Sequence, residues 1–93
     1  MAIQSFACRD IEELWRTGQN RRLQGVASVA LRKLDMLDAA VALADLRVPP
    51  GNRLERLAGD RAGQHSVRVN DQWRVCFVWA AAGPAGVQVV DYH

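Results

Sequence analysis

Lysine is nearly missing from this chain: of twelve basic residues eleven are arginine, and Lys33 stands alone. Cysteine is scarce too, since Cys8 and Cys76 form no Cys-x-x-Cys pair and no cluster with histidine. That spacing argues against a disulfide scaffold or a zinc site, and both thiols are expected to serve as small apolar core residues. No run approaches the roughly 20 apolar residues of a membrane helix. The start, Met1-Ala2-Ile3-Gln4-Ser5, reaches Arg9 and Asp10 without the apolar stretch of a secretory signal, so a cytoplasmic protein without membrane association is expected. A GxxxxGK[ST] phosphate loop, an HExxH pair and any evident cofactor motif are lacking, so neither cofactor nor metal is expected. The RNA-binding signatures of RRM and KH modules are lacking as well.

What is present is an ordinary globular composition, 49% hydrophobic and 24% charged over 93 residues, which reads as one domain spanning residues 1–93. The formal net charge of +2 decides little. The arginine bias says more, because a guanidinium matches phosphate oxygens in two-point contacts. Codon usage in a GC-rich genome would give the same bias, so composition alone leaves nucleic-acid binding open.

Residues 3–6 alternate weakly and suggest a short strand. Asp10 precedes Glu13 by the spacing of a capping box, and Ile11, Leu14 and Trp15 then form one face of a short helix that Gly18 ends. Asn20 is placed to cap a second, longer helix. Its apolar stripe is Leu23, Ala27, Ala30, Leu34, Leu37, Val41 and Ala44, and Pro49, Pro50 and Gly51 must end it. From Gly63 the period becomes two. Val67 and Val69 alternate with Ser66 and Arg68, Asn70-Asp71-Gln72 reads as a turn, and Trp73, Val75, Phe77 and Trp79 alternate with Arg74, Cys76 and Val78. Residues 80–86, with Gly83-Pro84, read as a loop and residues 87–91 as a last strand. The expected fold is α+β, in the order β-α-α-β-β-β, with an antiparallel sheet packed on a two-helix hairpin. Trp15, Trp73 and Trp79 fall in apolar patterns and are expected in the core, Trp73 alternatively walling a site.

Three stretches then resemble one family. The first is Asp45-Leu46-Arg47-Val48-Pro49-Pro50-Gly51-Asn52-Arg53-Leu54-Glu55. The second runs from Leu57-Ala58-Gly59-Asp60-Arg61 through His65 and Arg68 to Trp73-Arg74-Val75-Cys76-Phe77, and the third is the ending Val89-Val90-Asp91-Tyr92-His93. In this order they resemble HigB/GraT-type toxins of the RelE/ParE superfamily. The N-terminal half fits in its length and in its Arg21-Arg22 and Arg32-Lys33-Leu34 groupings. The resemblance implies a RelE-like fold and a toxin of a type II toxin–antitoxin system that cleaves messenger RNA on the ribosome. It also implies a HigA-like helix-turn-helix antitoxin, through which the pair meets operator DNA.

Cleavage through the ribose 2′-hydroxyl needs a proton acceptor, a proton donor and positive charge at the developing phosphorane, and requires no metal. His93, with an ordinary pKa of about 6.5, suits proton transfer. Tyr92 suits hydrogen-bond donation or stacking on a base. Asp91 suits orienting His93. Regular alternation sends Asp91 and His93 one way and Tyr92 the other, so the three converge only if the strand ends or twists there. Arg68 and Arg74, on opposite arms of the hairpin, are the candidates for the scissile phosphate. Arg53, Arg56, Arg61 and His65 are the candidates for binding the RNA. Without the resemblance, the terminal triplet reads as a solvated tail, Arg68 and Arg74 as solvated strand charges, and His65 as a packed or edge histidine. Some HigB toxins carry a His and a Lys where this chain has Glu55 and Ala58, a departure that leaves the catalytic set less complete. Two other classes fit the same pattern. One is a ParE-like toxin that inhibits DNA gyrase without cleaving RNA. The other is a nucleic-acid-binding module without toxicity.

Overall fold

The change of period near Gly63 separates a helical half from a sheet. In the computed structural model, which describes residues 2–91, helix α1 spans Arg9–Thr17 and α2 spans Ala27–Ala39. Strands β1 (Glu55–Arg56), β2 (Gln64–Arg68), β3 (Trp73–Ala80) and β4 (Gly83–Asp91) form an antiparallel sheet in sequential order. Short 3₁₀ turns at Leu43–Arg47, Pro50–Asn52 and Gly59–Arg61 link the halves. Both helices pack on β4 and on each other, giving the expected α+β architecture.

The core is the face where the two periods meet. Ile11 and Leu14 of α1, Ala30, Leu34 and Leu37 of α2, and Val67, Val75, Phe77 and Val87 of the sheet are each 0% exposed. Burial of each of these side chains except that of Ala30 supplies about 1.5–3 kcal/mol. Trp73 is buried and carries the Arg22 guanidinium over its ring at 5.0 Å, while Trp15 and Trp79 pack partly buried against the core. Cys76 is buried and Cys8 half-buried, and no disulfide joins them.

Gly18 stops α1 as expected. It sits in the left-handed region at φ 79° and donates its N–H to the Leu14 carbonyl, a conformation glycine takes cheaply. The capping box does not form, because α1 starts at Arg9 with Cys8 as its cap. Asp10 and Glu13 instead both accept from Asn20 Nδ2, at 3.1 and 3.0 Å. Asn20 is thereby drawn into the α1–α2 connection, where its Oδ1 accepts from the Leu23 N–H at 3.0 Å and caps a turn. The second helix accordingly starts at Ala27 rather than after Asn20. It also ends earlier, at Ala39. The Asp45 carboxylate accepts from the backbone N–H groups of Val41 and Ala42, at 2.9 and 3.0 Å, and starts the 3₁₀ turn instead. Val41, expected in the buried stripe, is 72% exposed for that reason, and Ala44 is exposed too.

The hairpin of β2 and β3 forms in the expected place, with Val67 opposite Val75 and Arg68 opposite Arg74. Asn70 Oδ1 closes its turn by accepting from the N–H groups of Gln72 and Trp73. The expected loop over residues 80–86 shrinks to a two-residue turn between Ala80 and Gly83, and β4 already starts at Gly83. The expected first strand is reduced to one parallel bridge, Phe6 to Val87. Pro84 has no N–H to extend that ladder and only accepts from Gln4, while the Gly86 N–H goes to Ser5 Oγ.

Candidate nucleic-acid interface

Strand alternation gives the sheet two faces. Val67, Val75 and Phe77 look to the helices, and Ser66, Arg68, Arg74 and Cys76 look the other way. Arg74 on this outer face is not a solvated strand charge, being 6% exposed. Its Nε donates to Ser66 Oγ at 2.8 Å, and its Nη2 donates to the Arg53 carbonyl at 2.6 Å and the Ser66 carbonyl at 3.3 Å. Glu55, opposite Ser66 in the register, brings its carboxylate to 3.7 Å from Arg74 Nη1. Arg74 therefore ties β1, β2, β3 and the segment before β1 together.

That segment is itself anchored. Arg53 follows the Pro50–Asn52 turn in the left-handed region at φ 44°, which presents its carbonyl to Arg74. Asn52 beside it is 1% exposed, donates Nδ2 to the Leu46 carbonyl at 3.1 Å, and accepts from Lys33 Nζ at 2.6 Å. Burial first, and then the positive charges of Arg32 and Arg68, hold Lys33 below the ordinary lysine value. A continuous set of contacts thus runs from α2 through Asn52 and Arg53 to Arg74.

Arg68 is more accessible. Its side chain is 32% exposed and its guanidinium pairs with Asp71, which is 91% exposed. Such an exposed pair is worth little and leaves the cation open to exchange for a phosphate. Arg61 is half-buried, with Nη1 donating to Gln64 Oε1 at 3.3 Å, and the Arg53 side chain is exposed. Asp91 ends β4 in register with Trp73 and accepts from Gln72 Nε2 at 3.0 Å. Arg74 pairs with Val90, so Asp91 stands on the alternate position. Tyr92 and His93 lie outside the described residues.

Arg56 and His65 are drawn to a different place. They are opposite each other in β1 and β2, on the alternate parity to Glu55 and Ser66. With Leu43, Ala44, Arg47 and Leu54 they line a cleft of about 500 Å³. The His65 ring lies over Phe77 with centroids 6.2 Å apart, and its buried Nδ1 has no hydrogen-bond partner among the described residues. Burial, and secondarily the Arg56 charge, lowers the His65 pKa from the ordinary value. Of the RNA-binding candidates, Arg56 and His65 line this cleft, whereas Arg53 and Arg61 are not among its lining residues. Three participants went unmarked in the sequence: Ser66, Arg47, and Glu55 as partner of Arg74. Ser66 alone carried a signal, its shared parity with Arg68.

Among the described residues no group of three or more His, Cys, Asp or Glu side chains is placed to hold a metal ion, and no helix is long and apolar enough to cross a membrane.

The family model described as RelE-like toxin of type II toxin-antitoxin system HigB matches residues 4–93. The chain belongs to the HigB-like toxin family. Toxin HigB-1 of Vibrio cholerae serotype O1 is 42% identical over 81 residues, covering 85% of this chain and 84% of that protein. An uncharacterized Haemophilus influenzae protein is 45% identical over 49 residues, covering 53% of this chain and 48% of that one. Among solved structures, a YoeB/ParE toxin from Agrobacterium tumefaciens superposes over 100% of both chains with a TM-score of 0.57 at 20% identity, a likeness of fold. As a HigB-like protein the chain is a type II toxin, and the family implies an antitoxin partner.

Proposed function

We propose that this HigB-like toxin is a ribosome-dependent endoribonuclease that cuts messenger RNA during translation in the cytoplasm, and that a HigA-like helix-turn-helix antitoxin neutralises it. The observation that best supports the reading is the fixed guanidinium of Arg74 beside the exchangeable one of Arg68, directly paired in the hairpin.

In this mechanism the 2′-hydroxyl of the RNA gives up its proton and attacks the adjacent phosphate, the P–O5′ bond breaks, and the departing 5′-oxygen takes up a proton, leaving a 2′,3′-cyclic phosphate. Arg74 is already held by Ser66 and Arg53, so its charge needs no reorganisation as the phosphorane forms. Glu55 offsets part of that charge, so Arg68 carries the larger share of phosphate attraction after releasing Asp71. His93 moves the proton, Tyr92 donates a hydrogen bond or stacks on a base, and Asp91 orients His93. With Glu55 and Ala58 in the loop, the ribosome supplies much of the orientation of the RNA, and positioning of this kind accounts for a large part of a barrier reduction.

The test is cleavage of a defined messenger in a purified translation system, with and without ribosomes, for the wild type and His93→Gln. Ribosome-dependent cuts that vanish in the variant are expected. An intact messenger under every condition, with inhibited gyrase supercoiling in parallel, would replace this reading by the ParE-like one.

A further inference from the structure

Arg47 and Arg56 both line the cleft beside β1, and no hydrogen bond or ion pair engages either guanidinium among the described residues. Among the described residues no carboxylate lines that cleft. The nearest in sequence are committed elsewhere, Asp45 to the N–H groups of Val41 and Ala42, and Glu55 to Arg74 on the opposite parity. The cleft is therefore positive, and Leu43, Ala44 and Leu54 give it an apolar wall. Its volume of about 500 Å³ falls within the roughly 300–1,000 Å³ of small-ligand clefts.

We infer that this cleft is a second phosphodiester-binding site, which takes one RNA phosphate between Arg47 and Arg56 and rests the attached nucleoside on Leu43 and Leu54. Planar guanidinium forks suit a phosphate in two-point contact. Apolar surface next to such a charge suits a base or ribose. An acidic protein segment would also meet the charge, but two leucines and one alanine fall well short of the roughly 800 Å² per partner of a stable protein interface. RNA leaving the Arg68 face reaches the cleft by crossing a single edge, because β1 is the outermost strand and only two residues long. The inference rests on the nuclease reading only in taking RNA as the ligand. The phosphate belongs either to the substrate strand or to ribosomal RNA.

The experiment compares the wild type with the Arg47→Ala/Arg56→Ala variant, both positions being exposed, by binding across a range of salt concentrations. The probes are a fluorescein-labelled 2′-O-methyl single-stranded oligonucleotide, which cannot be cleaved through its 2′ position, and vacant ribosomes. Each phosphate neutralised on a single strand contributes about 0.7 to the log–log salt slope, so a loss of about 0.7 is expected for the one phosphate held here. With equal affinities extrapolated to 1 M, that corresponds to roughly 5-fold weaker binding near 0.1 M salt. Weakening on the oligonucleotide alone assigns the substrate strand, because vacant ribosomes carry no messenger, and weakening on ribosomes, with or without the oligonucleotide, assigns ribosomal RNA. The inference is overturned if the wild type binds neither probe, if the slopes do not change, or if the loss is confined to antitoxin binding. It is also overturned if Arg16→Ala/Arg21→Ala lowers the slope equally. Because neither probe requires cutting, failure of the nuclease reading appears separately, in the messenger-cleavage assay.

Discussion

Replacing Arg74 by alanine should unfold more than it inactivates. The side chain is 8% exposed and makes three described hydrogen bonds, to Ser66 Oγ, the Ser66 carbonyl and the Arg53 carbonyl. Hydrogen bonds from a charged donor contribute about 1.5–3 kcal/mol each, though neighbouring ones do not add. Ser66 is 0% exposed, so its hydroxyl is left without ready access to water, at a cost of about 1–3 kcal/mol. Glu55, half-exposed, is resolvated cheaply. The sum points to a loss of about 3–4 kcal/mol, a large fraction of the 5–15 kcal/mol typical of a domain. At roughly 4 °C or more per kcal/mol for a chain of this size, Tm should fall by at least about 12 °C. Urea unfolding followed by tryptophan fluorescence measures the loss directly. Arg74→Lys keeps the charge but cannot reach Ser66 and Arg53 together, and should lose about half as much. A loss below about 1 kcal/mol for the alanine variant would refute the structural role assigned to these contacts. The chemical role is then read from Arg74→Lys at a temperature where it is fully folded, as a fall in messenger cleavage with antitoxin affinity unchanged.

Two further outcomes follow from buried polar groups. Burial first, and the Arg56 charge second, keep the His65 pKa below the ordinary value, so between its two pKa values the folded chain binds fewer protons than the unfolded chain. Its contribution to stability is therefore full above the unfolded value of about 6.5, is lost as pH falls through that value, and levels off below the folded pKa. Imidazole titration by NMR should find His65 below about 6.5 and find it raised, but not fully restored, in Arg56→Ala; no movement in the variant would remove Arg56 from the account. Asn52→Ala should lower the unfolding free energy by about 2–4 kcal/mol, because Lys33 Nζ and the Leu46 carbonyl both lose a buried partner. Denaturation that shows a change under about 1 kcal/mol would mean that water replaces the amide.

The β2–β3 hairpin was legible because strict alternation and an Asn-Asp-Gln turn are local signals that tertiary packing had no reason to overrule. The helix ends were not, since each is decided by a side chain reaching elsewhere. Asn20 is engaged by Asp10 and Glu13, and Asp45 takes the N–H groups past Ala40. Arg74 was legible as a cation on the outer face, and the family resemblance marked it as a site residue. Its burial was not legible, because the carbonyl that holds it comes from 21 residues away and depends on the left-handed turn at Arg53. The cleft escaped notice for the same reason as the end of α2. A helix continuing past Ala44 toward Pro49 would carry Arg47 along its own surface as one more solvated charge. Once Asp45 stops that helix and starts a 3₁₀ turn, Arg47 lines the same cleft as Arg56 and His65. The misplaced helix end and the missed positive cleft thus have a single cause, the Asp45 carboxylate competing for two backbone N–H groups.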